Sequence, residues 1–131
     1  MNQTITKNDK NLKILNELVL NGFYNGYIGN EKFELMRNHF PNNHRLIGTL
    51  NETGNYDLKF DFKSPMNILA KILLGLGVLI SIISLIKGNW IFPIVFVIFG
   101  LIFFANFKLK EKKEIKIFTD KLLELRKSEY N

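Results

Sequence analysis

Two long apolar runs occupy the second half of the chain and are separated by only three residues. "MNILAKILLGLGVLISIISLI" covers residues 66–86 and would reach roughly 31 Å as a helix, about the thickness of a bilayer's hydrocarbon core. "WIFPIVFVIFGLIFFANF" covers residues 90–107 and would reach roughly 27 Å. We predict two transmembrane helices joined as a hairpin, because a chain of 131 residues is too small to bury both of them in a soluble core.

Each predicted span carries a line of side chains at helical spacing, small residues on the first and phenylalanines on the second. The first line is Gly77, Ser81, Ser84 and Gly88, and the second is Phe92, Phe96, Phe99 and Phe103. In lipid, helices associate through close packing rather than through burial from water. The two lines predict contact within the hairpin. The alternative is that the small residues contact another membrane protein or another copy of this chain.

The shorter patterns before the first span predict a small soluble module. Residues 9–20 have the spacing of a helix, with a cap at Asn8 or Asp9 and a stop at Asn21-Gly22. The following residues, up to position 63, alternate strand-like segments with turn residues. The predicted turns fall at residues 29–30, 39–43 and 51–55. We therefore expect a four-stranded antiparallel meander with one buried face.

The last predicted strand, "YDLKFDFK", separates its apolar and charged side chains completely. Period-two alternation places its charges on one face of the sheet, where we predict that they meet a cytoplasmic partner. These predicted partner-facing residues are Asp57, Lys59, Asp61 and Lys63. The next two residues predict the start of the first span, with Ser64 as its cap and Pro65 at its first helical position.

The C-terminal residues 108–131 predict an amphipathic helix with a narrow apolar stripe. The stripe consists of Ile115, Phe118, Leu122 and Leu125. It could lie on the inner leaflet, pair with another helix as a short coiled coil, or cover the sheet. We favour the last interpretation, because an uncovered sheet would expose a large apolar patch.

The predicted fold class is therefore a membrane α+β protein in three segments. Residues 1–63 form the N-terminal helix and the β-meander, residues 64–107 the transmembrane helical hairpin, and residues 108–131 a basic amphipathic helix on the meander.

The net charge of +6 is concentrated near the predicted spans rather than spread over the chain. Residues 1–63 carry eight basic and seven acidic side chains, whereas residues 108–131 carry eight and five. Basic residues next to a span indicate its cytoplasmic side, so we predict both termini in the cytoplasm of a bacterial inner membrane and the 87–89 turn outside. Membrane lipid then explains the excess charge without nucleic acid. The predicted membrane-interface residues are Lys71, Trp90, Lys108, Lys110, Lys112 and Lys113.

The candidate chemistry of the sequence is sparse. The chain has no cysteine, which excludes disulfides and cysteine-based metal or redox sites. Its two histidines, His39 and His44, flank a predicted turn without carboxylates at metal-ligand spacing. No glycine-rich phosphate loop precedes a helix. We expect no catalytic residue, metal, cofactor or small-molecule substrate.

One stretch resembles a known group. "GYIGNEKFELMRN", a later proline and "LIGTLNE", followed by the apolar hairpin and a lysine-rich helix, resemble uncharacterised small two-transmembrane proteins of Bacteroidetes-type bacteria. The resemblance covers roughly residues 22–118 and implies a short β-rich segment joined to two spans. It implies no activity for any residue.

These patterns favour a non-enzymatic function for the chain. We expect an anchored binding or accessory subunit, or a homo-oligomeric scaffold, that contacts another membrane protein or a second copy of itself. One alternative is a membrane-perturbing effector or immunity protein whose two spans oligomerise. The other is a module that binds anionic lipid through its basic tail.

Overall fold

The computed structural model describes residues 4–39 and 43–128. The predicted turn at residues 39–43 lies mostly outside this part of the chain. The chain divides into two compact units. The first consists of Met1–Lys63 and Ile115–Asn131, and the second of Ser64–Glu114.

Five strands and three helices form in the described part of the chain. In order they are β1 (Thr4–Thr6), α1 (Asp9–Leu20), β2 (Tyr24–Ile28), β3 (Lys32–Arg37), β4 (His44–Leu50), β5 (Asn55–Phe62), α2 (Met66–Ile86) and α3 (Ile91–Ser128).

The strands form one antiparallel sheet in the order β1-β5-β4-β3-β2. The antiparallel meander is confirmed for β2 to β5. The predicted number of four strands was wrong, because the described sheet has five. The fifth, β1, pairs with β5 and places Thr4 opposite Asp57 and Thr6 opposite Asn55. Three residues are too few to show a period, so β1 is defined only by the strand that it meets.

Helix α1 has the bounds that the sequence predicts. Its first turn is capped by Asn8, whose Oδ1 accepts the N–H of Asn11 at 2.7 Å. At the other end Gly22 adopts a φ of +71°, and the N–H of Phe23 reaches the carbonyl of Leu18 at 3.1 Å. This is a Schellman ending, which glycine favours because it lacks a Cβ.

The core of the first unit lies between one face of the sheet and two helical segments, α1 and the C-terminal part of α3. The buried core residues are Ile14, Leu15, Leu18, Tyr24, Phe33, Leu35, Leu46, Tyr56, Ile115, Phe118 and Leu122. The Phe118 ring lies 5.8 Å from that of Tyr24 and 6.3 Å from that of Phe33, centroid to centroid. Of the three interpretations of the C-terminal stripe, the structure has the one in which it covers the sheet.

Helix α3 differs from the prediction because it is a single helix of 38 residues. We predicted a span over residues 90–107 and a separate helix after it. No glycine or proline occurs after Gly100 to end the helix. The helix therefore continues where its side chains change from apolar to charged.

Helix α2 has the bounds predicted for the first span, but the residues that begin and end it differ from the prediction. Pro65 is the N-cap residue, and no side chain makes the capping hydrogen bond that we expected from Ser64. Gly88 lies beyond the helix with a φ of +76°, and the N–H of Asn89 reaches the carbonyl of Ser84 at 2.8 Å. Gly88 therefore ends the helix and does not extend the line of small residues along it.

Candidate functional site

The sheet has a second face, which we call the open face because neither helix of its unit covers it. The register brings side chains of β3, β4 and β5 together there. Lys59 lies opposite Ile47, which in turn lies opposite Glu34, and Asp61 lies opposite Arg45. Residues opposite each other in an antiparallel pair share a face, so these side chains form one continuous surface. Ile47 is buried among the charges around it.

Three charged side chains on the open face form an ion-pair cluster. Glu34 binds Lys32 through Oε1 and Arg45 through Oε2, the second at 2.8 Å. The hydrogen bond from Lys32 lowers the pKa of the Glu34 carboxyl, and that from Arg45 lowers it further, against an opposing effect of burial. The cluster therefore holds a carboxylate between two cations in a fixed position across β3 and β4.

The predicted partner-facing residues occupy the neighbouring strand or follow it. Asp57, Lys59 and Lys63 are exposed, and Asp61 is half-buried. Asp57 accepts a hydrogen bond from the side-chain amide of Asn51 at 2.8 Å, which orients its carboxylate. Asp61 Oδ1 lies 2.8 Å from the N–H of Phe62. The open face thus presents cations and anions side by side.

The prediction missed Lys32, Glu34 and Arg45, although part of the signal was present. Alternation in "KFELMR" places Lys32 and Glu34 on one side of a strand, and alternation in "HRLIGTL" does the same for Arg45 and Ile47. The sequence does not show which residues of the two strands lie opposite each other. Only that register brings the guanidinium to the carboxylate.

The second unit is dominated by apolar side chains that are exposed among the described residues. Helices α2 and α3 are each long enough, and each contains a stretch apolar enough, to cross a membrane. Among the described residues of α2, Gly77 alone is buried. A soluble protein rarely exposes so large a continuous apolar surface.

The buried Gly77 is the point where α2 meets α3. A Cβ at Gly77 would come within 2.1 Å of the Phe96 ring, so the ring lies directly on the glycine backbone. Phe92 stacks on Phe96 with parallel rings and a centroid distance of 6.4 Å. The hydroxyl of Ser81 donates to the carbonyl of Gly77 at 2.7 Å, within its own helix.

The other residues of the two predicted lines are more exposed than Gly77. Ser84 is half-buried, and Phe99 and Phe103 are 67% and 58% exposed.

The predicted membrane-interface residues are mostly exposed as well. This holds for Lys71, Trp90, Lys108, Lys112 and Lys113, whereas Lys110 is half-buried. Lys108 also forms an ion pair with Glu111 one turn further along α3.

The His44 side chain packs against two aromatic rings of β5. Its ring stacks on Phe60 with centroids 5.0 Å apart and lies 4.7 Å from the ring of Phe62. Within residues 4–39 and 43–128, no group of three or more His, Cys, Asp or Glu side chains is placed to hold a metal ion.

Comparisons with known proteins give no relative from which a site could be transferred. No protein-family model, no curated protein and no solved structure matches this chain. The open face and the apolar helices therefore stand as candidate sites on their own geometry.

Proposed function

We propose that the chain is a non-enzymatic membrane protein that anchors a small cytoplasmic α+β module and presents its open face to a protein partner. The carrying observation is the exposed apolar surface of the second unit. Lipid would cover that surface, because hydrocarbon tails solvate such side chains and water does not. In this proposal α2 and residues 91–107 of α3 cross the bacterial inner membrane, and both termini are cytoplasmic.

The open face supports the second half of the proposal. One face of the sheet is used for the core, and the other holds ordered charges around the buried Ile47. Charges fixed by ion pairs lose little side-chain freedom when a partner binds, and complementary charges select that partner. The partner would be a protein whose surface alternates acidic and basic side chains.

The membrane part of the proposal can be tested by cysteine labelling, since the chain has no native cysteine. Thr53→Cys lies in the β4–β5 turn and Lys87→Cys at the end of α2, and both positions are exposed. In intact cells with a permeable outer barrier, an impermeant maleimide should label Lys87→Cys and should reach Thr53→Cys only after lysis. Release of the chain by alkaline carbonate, or the opposite labelling pattern, would contradict the proposal.

The partner-binding part can be tested by photocrosslinking in living cells. A photoreactive residue at Lys59 should give a discrete adduct, which Asp57→Lys/Asp61→Lys in the same chain should abolish. The matched control is the same probe at Lys13, an exposed lysine of α1 on the opposite side of the core. Equal adducts from both positions, or none from Lys59, would reject the open face as the binding surface.

A further inference from the structure

The outer edge of β2, on the side away from β3, has no strand beside it in the described part of the chain. In the described sheet β2 is the last strand and pairs only with β3. The backbone N–H of Gly29 donates to the carbonyl of Lys32 at 2.9 Å, and the backbone N–H of Asn38 donates to the carbonyl of Phe23 at 3.2 Å. These two bonds fix the alternation: odd-numbered residues of β2 point their backbone groups toward β3. The backbone groups of Gly26 and Ile28 therefore point away from the sheet.

This edge lacks the features by which soluble proteins usually protect a strand edge. Natural edge strands carry lysine, proline or inward-pointing charges that discourage further pairing. Residues 18–30 contain no charged residue and no proline, and they include all of β2. Gly26 is exposed, and the Tyr27 side chain is 68% exposed beside it. Apolar side chains flank the strand as well, since Leu20 is 82% exposed and Phe23 is 40% exposed.

We propose that β2 pairs with β2 of a second copy of this chain, antiparallel and centred on Gly26. In this register Gly26 exchanges two backbone hydrogen bonds with Gly26 of the second copy, and Asn25 lies opposite Tyr27 of the second copy. The two sheets join into one continuous sheet across a two-fold axis.

The edge is complementary to itself, and this is the reason for choosing a second copy as the occupant. On the open face, Asn25 lies beside Tyr27 of the second copy, so an amide meets a phenol. No charge is brought against a like charge, because the strand has none. The exposed aromatic ring gains a cross-strand neighbour in exchange for water.

This inference goes beyond the proposed function and is separate from it. The charged surface for a partner lies on β3, β4 and β5, whereas the self-pairing edge is β2. Loss of pairing would leave the anchor and the charged surface intact, so the two proposals fail in different experiments.

The first test is disulfide crosslinking of the full chain in native membranes. Asn25 and Tyr27 of two copies would form a non-hydrogen-bonded pair with Cα atoms about 4.5 Å apart, within the range that a disulfide spans. Asn25→Cys/Tyr27→Cys should therefore give a covalent dimer when a mild oxidant is added. The matched control is Thr4→Cys/Thr6→Cys, an exposed pair with the same spacing and face on β1, the opposite edge strand of the described sheet. Absence of the β2 dimer, or equal dimer from the control, overturns the inference.

The second test places charge on the edge. Asn25→Lys/Tyr27→Lys would set lysines directly opposite lysines and should weaken self-association by about tenfold or more. The readout is the dimer fraction of the full chain in non-ionic detergent, measured by light scattering. Thr49→Lys, an exposed position of the same face on β4, should leave the dimer unchanged. A dimer that survives charge on the edge, in a chain with native circular dichroism, places association elsewhere and overturns the inference.

Discussion

Arg126 donates a hydrogen bond from Nη2 to the side-chain oxygen of Asn11 at 2.6 Å, although the two residues are 115 positions apart. Asn11 is 2% exposed, and its Nδ2 donates to the carbonyl of Thr6 at 2.6 Å. A single buried amide therefore joins the end of α3, the start of α1 and the strand β1. Its two groups are both satisfied, as a buried amide requires.

We predict that Asn11→Ala destabilises the first unit by about 2 kcal/mol, because it leaves the guanidinium and the Thr6 carbonyl without their partner. Hydrogen exchange of the full chain in detergent should show faster exchange in β1 and in the first turn of α1. The matched control is Asn16→Ala on the same helix, whose amide donates to Leu12 at the surface. Equal effects of the two substitutions would show that the buried position of Asn11 is unimportant.

Gly48 and Phe33 form a second pair whose contact can be tested by substitution. A Cβ at Gly48 would lie 2.1 Å from the Phe33 ring, which crosses over the glycine from the adjacent strand. Gly48→Ala should therefore cost about 1–3 kcal/mol in the free energy of unfolding, measured by urea denaturation in non-ionic detergent.

The partner substitution provides the control for Gly48. Phe33→Leu removes the obstructing ring, so the cost of Gly48→Ala should be smaller in a Phe33→Leu background than in the native one. Simple addition of the two costs would mean that the ring is not what excludes a side chain at position 48.

Gly77 and Gly75 give a matched test of the contact between α2 and α3. A Cβ at Gly75 would meet nothing within 4 Å, whereas at Gly77 it would meet the Phe96 ring. We expect Gly77→Val to destabilise the helix pair by about 1–3 kcal/mol and Gly75→Val to have little effect. Thermal unfolding in detergent, followed by circular dichroism, measures the difference. If both variants unfold alike, the Phe96 contact does not hold the pair together.

The lowered pKa of Glu34 predicts how the stability of the folded chain depends on pH. Its pKa is lowered in the folded chain, chiefly by the hydrogen bond from Lys32 and also by Arg45, so ionised Glu34 favours folding. That contribution is complete above the ordinary pKa of 4.5 and is lost as the pH falls through the lower, folded pKa. The urea midpoint of the native chain should fall below about pH 4.5, and Glu34→Gln should fall less steeply.

An exposed carboxylate of the β4–β5 turn, Glu52, supplies the control for this pH dependence. Glu52→Gln should keep the native acid slope. An unchanged slope in Glu34→Gln would instead show that the ion-pair cluster on the open face does not stabilise the folded chain.

Only part of the candidate site could be predicted from the sequence, because some of its contacts depend on how two distant strands pair. Alternation along "YDLKFDFK" indicated which side chains leave the core, and β5 has Tyr56 and Phe60 buried as that pattern predicts. The pattern could not supply Arg45 or Glu34 as their neighbours, because strand alternation is a property of one segment and register is a property of two.

The sequence by itself determined the elements whose signals are local. The bounds of α1 follow from its cap at Asn8 and its ending at Gly22, and the two apolar helices follow from unbroken hydrophobic runs. These signals act within a few residues, through backbone conformation and hydrogen bonds to the nearest turn.

Only the tertiary structure decided which segments meet. β1 is a strand because β5 lies beside it, the C-terminal stripe covers the sheet because Phe118 fits between Phe33 and Tyr24, and Arg126 reaches Asn11. The physical reason is that apolar burial is non-directional: a stripe of side chains shows that a surface must be covered, and packing selects what covers it.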